Sequence, residues 1–253
     1  MTGRLKAVLE YDGTDFYGWQ IQKDRRTVQG VLEEVFSKRF NRPTAVTGSG
    51  RTDKGVHAAG QVAHFDYPVN THAEMSAPPV YKIHDSLNAM LPPDITILKL
   101  EEVPNDFHAR FSAVRRRYRY DIRLVPSALT RRYCWEVKTE LNSARMRKAL
   151  TYILGTHDFK PLAKLNPDDP EHTGYRCTIY DASLEKKGCS IAIQISANRF
   201  VRGMVRAIAG TLVDVGRGAK EQDIINRILK TSDRTLVGGL APACGLFLEH
   251  VEY

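Results

Sequence analysis

The order of short apolar patterns along the first hundred residues limits the fold more than any other feature. "LKAVLEY", Leu5 to Tyr11, alternates like a half-buried strand, and the Gly- and Asp-rich turn "DGTDFYGW" follows it. Val28, Val31, Leu32, Val35 and Phe36 then mark one helical face, with Thr27 placed to cap it. "TAVT" and "GQVAHF" read as strands. Val80, Ile83, His84, Leu87 and Leu91 mark a second helix, whose two prolines suit a first turn. "DITILKLEEV" reads as another strand. This β-α-β-β-α-β order is the ferredoxin-like split unit.

The second half reads as a decorated version of the same order. "YRYDIRL", Tyr118 to Leu124, alternates, and "YCWEV" is a short strand. Ser143 is expected to cap a helix carrying Met146, Ala149, Leu150, Ile153 and Leu154, which Gly155 stops. "TIYDASLEKKGCSIAIQIS" is a hairpin turning at Lys187-Gly188. A helix bearing Val201, Val205, Ile208, Ala209, Leu212 and Val213 follows, then a short helix near Gln222 to Lys230 and a last strand, "GLFLEHVEY". Thr156 to Cys177, with Pro161, Pro167 and Pro170, reads as a long polar linker. The expected fold is α+β. Two ferredoxin-like halves, residues 1–105 and 106–253, join into a continuous, mostly antiparallel sheet flanked by helices, with a central cleft.

Charge narrows the function. The chain carries a formal net charge of +8, and its arginines cluster: Arg115, Arg116, Arg117, Arg119 and Arg123, then Arg199, Arg202 and Arg206. Clustered arginine fits a polyanion, nucleic acid before membrane, although a solvated basic face has the same signature. The four cysteines contain no CxxC pair, which disfavours a zinc site or a disulfide framework and fits a reducing cytoplasm. No apolar run reaches the length of a membrane span, and no signal peptide is expected. Walker A, GxGxxG and HExxH patterns are missing, which argues against a nucleotide cofactor or zinc-peptidase chemistry.

The stretch "GSGRTDKGVHAAGQVAHF", Gly48 to Phe65, concentrates ionisable groups in one turn. Asp53 has two readings. Aspartate commonly forms turns, because its carboxylate bonds nearby backbone N–H groups. Against that, Arg51 lies two residues away and could hold an ionised carboxylate, while Gly48, Gly50 and Gly55 leave room for a bulky ligand. Such a carboxylate can serve as nucleophile or base. His57 and His64 match no zinc spacing and read as structural or RNA-facing. Tyr118 is either a core tyrosine or a ring on which a base stacks beside arginines. Arg206, on an apolar helix face, either snorkels to solvent or meets a carboxylate or phosphate.

Five ordered segments carry a resemblance: "EYDGTDFYGWQ" with "RTVQGVLEEVF", "GSGRTDKGVHAAGQVAHF", "FHARFSAVRRRYRY", "ANRFVRGMVRAIAGTLVDVG" and "DRTLVGGLAPACGLFLEHVEY". Together they resemble the tRNA pseudouridine synthases of the TruA family over almost the whole chain. The resemblance implies a cofactor-free isomerase that converts uridine to pseudouridine at positions 38 to 40, in the anticodon stem-loop of tRNA. It also implies a homodimer. By matched position, Asp53 is the catalytic aspartate and Arg51 its motif neighbour. Tyr118 is the base-stacking tyrosine, Arg206 a second basic partner and Leu246 an apolar wall. Arg110, Arg115, Arg116, Arg117 and Arg202 are the expected RNA contacts, and no metal is expected. Ser49 stands where the family pattern has a smaller, alanine-like residue. The rival readings are a non-catalytic RNA-binding or chaperone module, and a metal-dependent nuclease using Asp53, His57 and His64.

Overall fold

The computed structural model describes residues 2–68, 78–164 and 174–253. The chain is α+β, and it divides into two compact units, Met1–Val114 with Leu248–Tyr253, and Arg115–Phe247. No helix among the described residues is long and apolar enough to cross a membrane.

The first unit follows the expected order: β1 (Thr2–Tyr11), α1 (Val28–Phe40), β2 (Thr47–Gly48), β3 (His57–Pro68), α2 (Val80–Met90) and β4 (Ile95–Val103). Strand β1 lies between β3 and β4 and is antiparallel to both, with β2 pairing along β3. Of "TAVT", only Thr47 enters a strand, which continues into Gly48. Alternation along β1 buries Leu5, Ala7 and Leu9 completely. They share the core with Val28, Leu32 and Phe36 of α1 and Ile83 and Leu87 of α2. The Phe36 and Phe65 rings meet at 4.5 Å. Each buried leucine, isoleucine, valine or phenylalanine side chain here contributes roughly 1.5–3 kcal/mol.

Helix α1 starts as its sequence indicates, with Thr27 Oγ1 accepting from the Gly30 N–H at 3.3 Å. It ends at Asn41, in the left-handed region with φ 49°. That conformation suits an asparagine at a helix C-terminus.

The second unit contains β5 (Arg115–Arg123), β6 (Trp135–Glu136), α3 (Ser143–Leu150), β7 (Gly155–Asp158), β8 (Arg176–Lys187), β9 (Ser190–Ala197), α4 (Met204–Gly216) and α5 (Ile224–Thr231). Its strands run in the order β5-β9-β8-β7, with β6 parallel to β5. Strand β10 (Leu246–Glu252) closes the chain, and its residues from Leu248 onward belong to the first unit.

Several local expectations change here: α3 ends at Leu150, leaving Ile153 to a 3-10 turn and Leu154 beyond it, and α4 begins at Met204, past Val201. The cap of α3 is Asn142 rather than Ser143: the Asn142 side-chain carbonyl oxygen accepts from the Arg145 N–H at 3.0 Å, and Ser143 is already helical. Both residue types cap well, so the amphipathic period alone did not separate neighbours. The hairpin pairs Lys187 with Ser190, so it turns at Gly188-Cys189, one residue later than expected. Gly188, with φ 55°, supplies the left-handed residue that a tight hairpin needs. Finally, the start of the linker is ordered structure. Thr156–Asp158 pair with Thr178–Arg176 in β7 and β8, and Phe159, Leu162 and Ala163 are buried. Pro167 and Pro170 lie outside the described residues.

Candidate functional site

In the first unit, Asp53 sits on the connection between β2 and β3, half-buried, between buried Thr52 and exposed Lys54. The turn Asp12–Trp19, which follows β1, forms the cradle of this loop. The Trp19 N–H donates to the Thr52 carbonyl at 3.0 Å, and the Gly55 N–H to the Phe16 carbonyl at 3.3 Å. Tyr11 Oη and Thr52 Oγ1 lie 2.8 Å apart in the interior. The loop closes on itself through the Val56 N–H and the Asp53 carbonyl, at 3.1 Å.

Two glycines of the cradle make this contact possible. A Cβ at Gly13 would lie 1.9 Å from the Val56 carbonyl oxygen. One at Gly18 would lie 2.6 Å from the Thr52 oxygen, and Gly18 also has a φ of 94°. The turn that looked merely Gly-rich in sequence is therefore the seat of the Asp53 loop.

The glycines of the loop itself do separate jobs. A Cβ at Gly48 would meet the Trp19 indole at 2.6 Å, so the room expected there for a ligand is filled by tryptophan. Gly50 faces open space: a Cβ there would have nothing within 4 Å. Ser49 is buried, and its hydroxyl donates to Gln61 Oε1 at 2.7 Å. Gln61 Nε2 in turn donates to the Gly50 carbonyl at 3.0 Å. The extra hydroxyl at position 49 thus ties the entry of the loop to β3.

Both histidines of the stretch have structural partners. His57 is buried, and its Nδ1 accepts from the Gly13 N–H at 3.0 Å. Asp12 Oδ1 lies 3.2 Å from the same ring nitrogen. His64 Nδ1 accepts from the Ala109 N–H at 3.1 Å. Burial, with Arg4 and His108 nearby, lowers the His64 pKa from its usual value to about 4.

This bond belongs to a clasp on the "FHARF" segment. Arg4 Nη1 donates to the Phe107 carbonyl at 2.9 Å, and Tyr253 Oη to the Ala109 carbonyl at 2.8 Å. The clasp fixes the backbone beside Arg110, whose guanidinium lies 5.5 Å from the Phe111 ring. Arg51 is exposed.

In the second unit, Tyr118 is half-buried on β5, opposite Ile195 of β9. Its ring meets Phe200 edge to face at 4.9 Å and 79°. Phe200 was not singled out from sequence, where it stood outside any periodic pattern. Strand geometry divides the "RRRYRY" run between two faces. Arg116 shares a face with Tyr118 and Tyr120, while Arg115, Arg117 and Arg119 take the other. Arg116 Nη1 donates to the Asn198 carbonyl at 2.8 Å, and the Arg115 guanidinium lies 4.9 Å from the Tyr180 ring. Arg119 pairs with Asp121 at 3.0 Å. Arg117 and Arg202 are exposed.

Arg206, on α4, is half-buried, and its Nε donates to the Ala241 carbonyl at 2.7 Å. It is therefore anchored to backbone rather than simply reaching for solvent. The same segment is held by Tyr120 Oη, which donates to the Pro242 carbonyl at 2.8 Å, and by Thr211 Oγ1, which accepts from the Gly238 N–H at 3.0 Å. Burial pushes the Tyr120 phenol well above its usual pKa, so it stays a donor. Leu246, at the end of this segment, is buried. Tyr120 and Thr211 were read from sequence only as apolar-face residues or not at all, because their polar partners lie far along the chain.

Comparison with known proteins identifies the family. The family profile described as tRNA pseudouridine synthase matches residues 7–112 and 149–253. The chain is 41% identical over 251 residues to tRNA pseudouridine synthase A of Thermoanaerobacter sp. (strain X514), covering 98% of this chain and 99% of that protein. It is 43% identical over 253 residues to the protein of the same name from Ruminiclostridium cellulolyticum, with 99% of each chain covered. A Geobacillus sp. (strain WCH70) protein, also called tRNA pseudouridine synthase A, is 42% identical over 258 residues, with 100% of this chain and 99% of the relative covered. With a profile match across most of its length and full-length relatives above 40% identity, this chain belongs to the tRNA pseudouridine synthase family, a family of isomerases.

Proposed function

We propose that this isomerase converts uridine to pseudouridine at positions 38 to 40 in the anticodon stem-loop of tRNA, with Asp53 as its catalytic residue. The observation that carries the reading is the Asp53 loop: a half-buried carboxylate on a turn that Tyr11, Gly13, Gly18 and Trp19 hold in place. A fixed carboxylate is worth more to catalysis than a mobile one, because its position costs no reorganisation during the reaction.

The chemistry is an isomerisation that needs no outside reactant. The bond between uracil N1 and the ribose breaks, the detached base turns, and a new bond joins its C5 to the same sugar carbon. N1 gains a proton and C5 loses one. To be reached at all, the target base leaves its stack. Asp53 acts in this sequence as nucleophile or base. Tyr118 offers a ring face that retains the detached uracil, and holding it makes reattachment effectively unimolecular.

The N-terminal half, residues 1–105, brings the Asp53 motif and Arg51. The second half, residues 106–253, brings Tyr118, Arg206 and the apolar Leu246. Arg110, Arg115, Arg116, Arg117 and Arg202 bind the RNA backbone in this reading. The protein works without a cofactor, as a homodimer, in the cytoplasm.

The test is to map pseudouridine in unmodified tRNA after incubation with the purified protein, by the mass added on carbodiimide labelling. The expected label is at one or more of positions 38 to 40. Asp53→Ala should abolish it while tRNA binding is retained. Label elsewhere would refute the site, and activity in Asp53→Ala would refute the catalyst.

A further inference from the structure

Beside the Asp53 loop, two cations share one aromatic ring. Lys54 Nζ lies 4.0 Å from the centre of the Tyr17 ring, and the guanidinium carbon of Arg25 lies 4.6 Å from the same centre. Arg25 Nη1 also donates to Tyr17 Oη at 3.3 Å. The ring is fixed from behind. The Tyr17 N–H donates to the Arg26 carbonyl at 2.9 Å, and the Tyr17 carbonyl accepts from Gln22 Nε2 at 2.8 Å. Arg25 is held at the base of a tight turn. It bridges to Gln22, and Asp24 takes the left-handed conformation with φ 57°. Lys23, at the tip, is exposed.

The distribution of acids makes this arrangement specific. Arg26, the next residue, has a full partner: its guanidinium makes paired hydrogen bonds to Asp94 at 2.7 and 2.9 Å and lies 4.0 Å from the Phe16 ring. Lys23, Arg25 and Lys54 form no ion pair with a carboxylate among the described residues. An exposed cation on a tyrosine face gains roughly 0.5–1 kcal/mol. Two cations on one ring also repel each other, and a bridging anion removes that repulsion. A phosphodiester has one negative charge and two free oxygens, enough to meet an ammonium and a guanidinium together.

We propose that Lys54 and Arg25, gathered on Tyr17 and flanked by Lys23, form a contact for the tRNA phosphate backbone next to the Asp53 loop. The location gains its meaning from the reading of Asp53 as catalyst. The test, however, measures binding, so its failure is separable from a failure of that reading.

The experiment is titration of an unmodified tRNA transcript against the full-length protein, at salt from about 50 to 200 mM. The variants are Lys54→Gln, Arg25→Gln and the double change. Lys82→Gln, an exposed lysine on α2, is the control for equal loss of charge. Each site variant should weaken binding roughly three- to tenfold at low salt. Each should also make the plot of log affinity against log salt shallower by about 0.7 to 0.9. Lys54→Arg should restore most of the loss. Tyr17→Leu, which keeps both charges but removes the ring that gathers them, should fall between. A double variant with wild-type slope, or a Lys82→Gln effect of equal size, would overturn the proposal. All the changed side chains except Tyr17 are exposed, and near-ultraviolet circular dichroism establishes that each variant is folded.

Discussion

Tyr11 Oη and Thr52 Oγ1 meet at 2.8 Å inside the first unit, one residue before Asp53. The pair links the end of β1 to the loop on which the proposed chemistry depends. Tyr11→Phe leaves the Thr52 hydroxyl buried without this partner, and the expected cost is about 1–3 kcal/mol. Thr52→Val in the same background removes both polar groups and should recover much of the stability. Urea unfolding measures both effects. If the bond also orients Asp53, the double variant will be stable yet slow in pseudouridine formation.

The glycines give a second contrast. Gly13→Ala puts a methyl 1.9 Å from the Val56 carbonyl oxygen, so the two segments must part. It should destabilise the fold by more than about 2 kcal/mol. Gly50→Ala meets nothing within 4 Å and should leave the urea midpoint unchanged. Loss of turnover in that stable variant would mark the space above Gly50 as occupied by substrate.

Stability should also fall in acid through His64. Its folded pKa of about 4 lies below the ordinary histidine value of 6.5, so in this range the unfolded chain binds more protons than the folded one. The stabilisation is complete above pH 6.5 and is lost as pH drops through 4, and it is at most about 3 kcal/mol. His108, also lowered by burial, adds in the same direction, whereas Asp66, held low by Arg4, acts below that window. His64→Gln should flatten the dependence of the urea midpoint on pH between about 6.5 and 4. An unchanged slope would show that the Ala109 clasp does not depend on a neutral imidazole.

Tyr118 tests a ring against a hydroxyl. The edge-to-face contact with Phe200 holds the ring without using the hydroxyl. Tyr118→Phe should therefore keep tRNA binding and lose only part of kcat, while Tyr118→Leu should lose far more. Equal losses in the two variants would assign the role to the hydroxyl.

At α3, Asn142→Ala should cost about 1 kcal/mol and Ser143→Ala only a few tenths, since the first removes the bond to the Arg145 N–H. Thermal melts of the two variants decide which residue is the cap.

Much of this protein was legible along the chain. The periods of β1, α1 and α2, the Thr27 cap and the βαββαβ order of the first half follow from local rules, because neighbours in sequence determine which face a residue takes. The five motif segments were enough to name the family, and Asp53 stood out in its turn. What local rules could not supply was the purpose of residues whose partners are distant. Gly48 is small because Trp19 packs on it, Gly13 because Val56 passes within reach, and Ser49 is polar because Gln61 lies across the strand. His57 and His64 read as structural or RNA-facing, and only the fold shows which backbone groups they hold, the Gly13 and Ala109 N–H. Sequence alone thus determined the elements and the chemically suspect residues. Only the tertiary structure decided that the Asp12–Trp19 turn is the seat of the Asp53 loop, because backbone contacts between segments some forty residues apart leave no periodic trace in either segment.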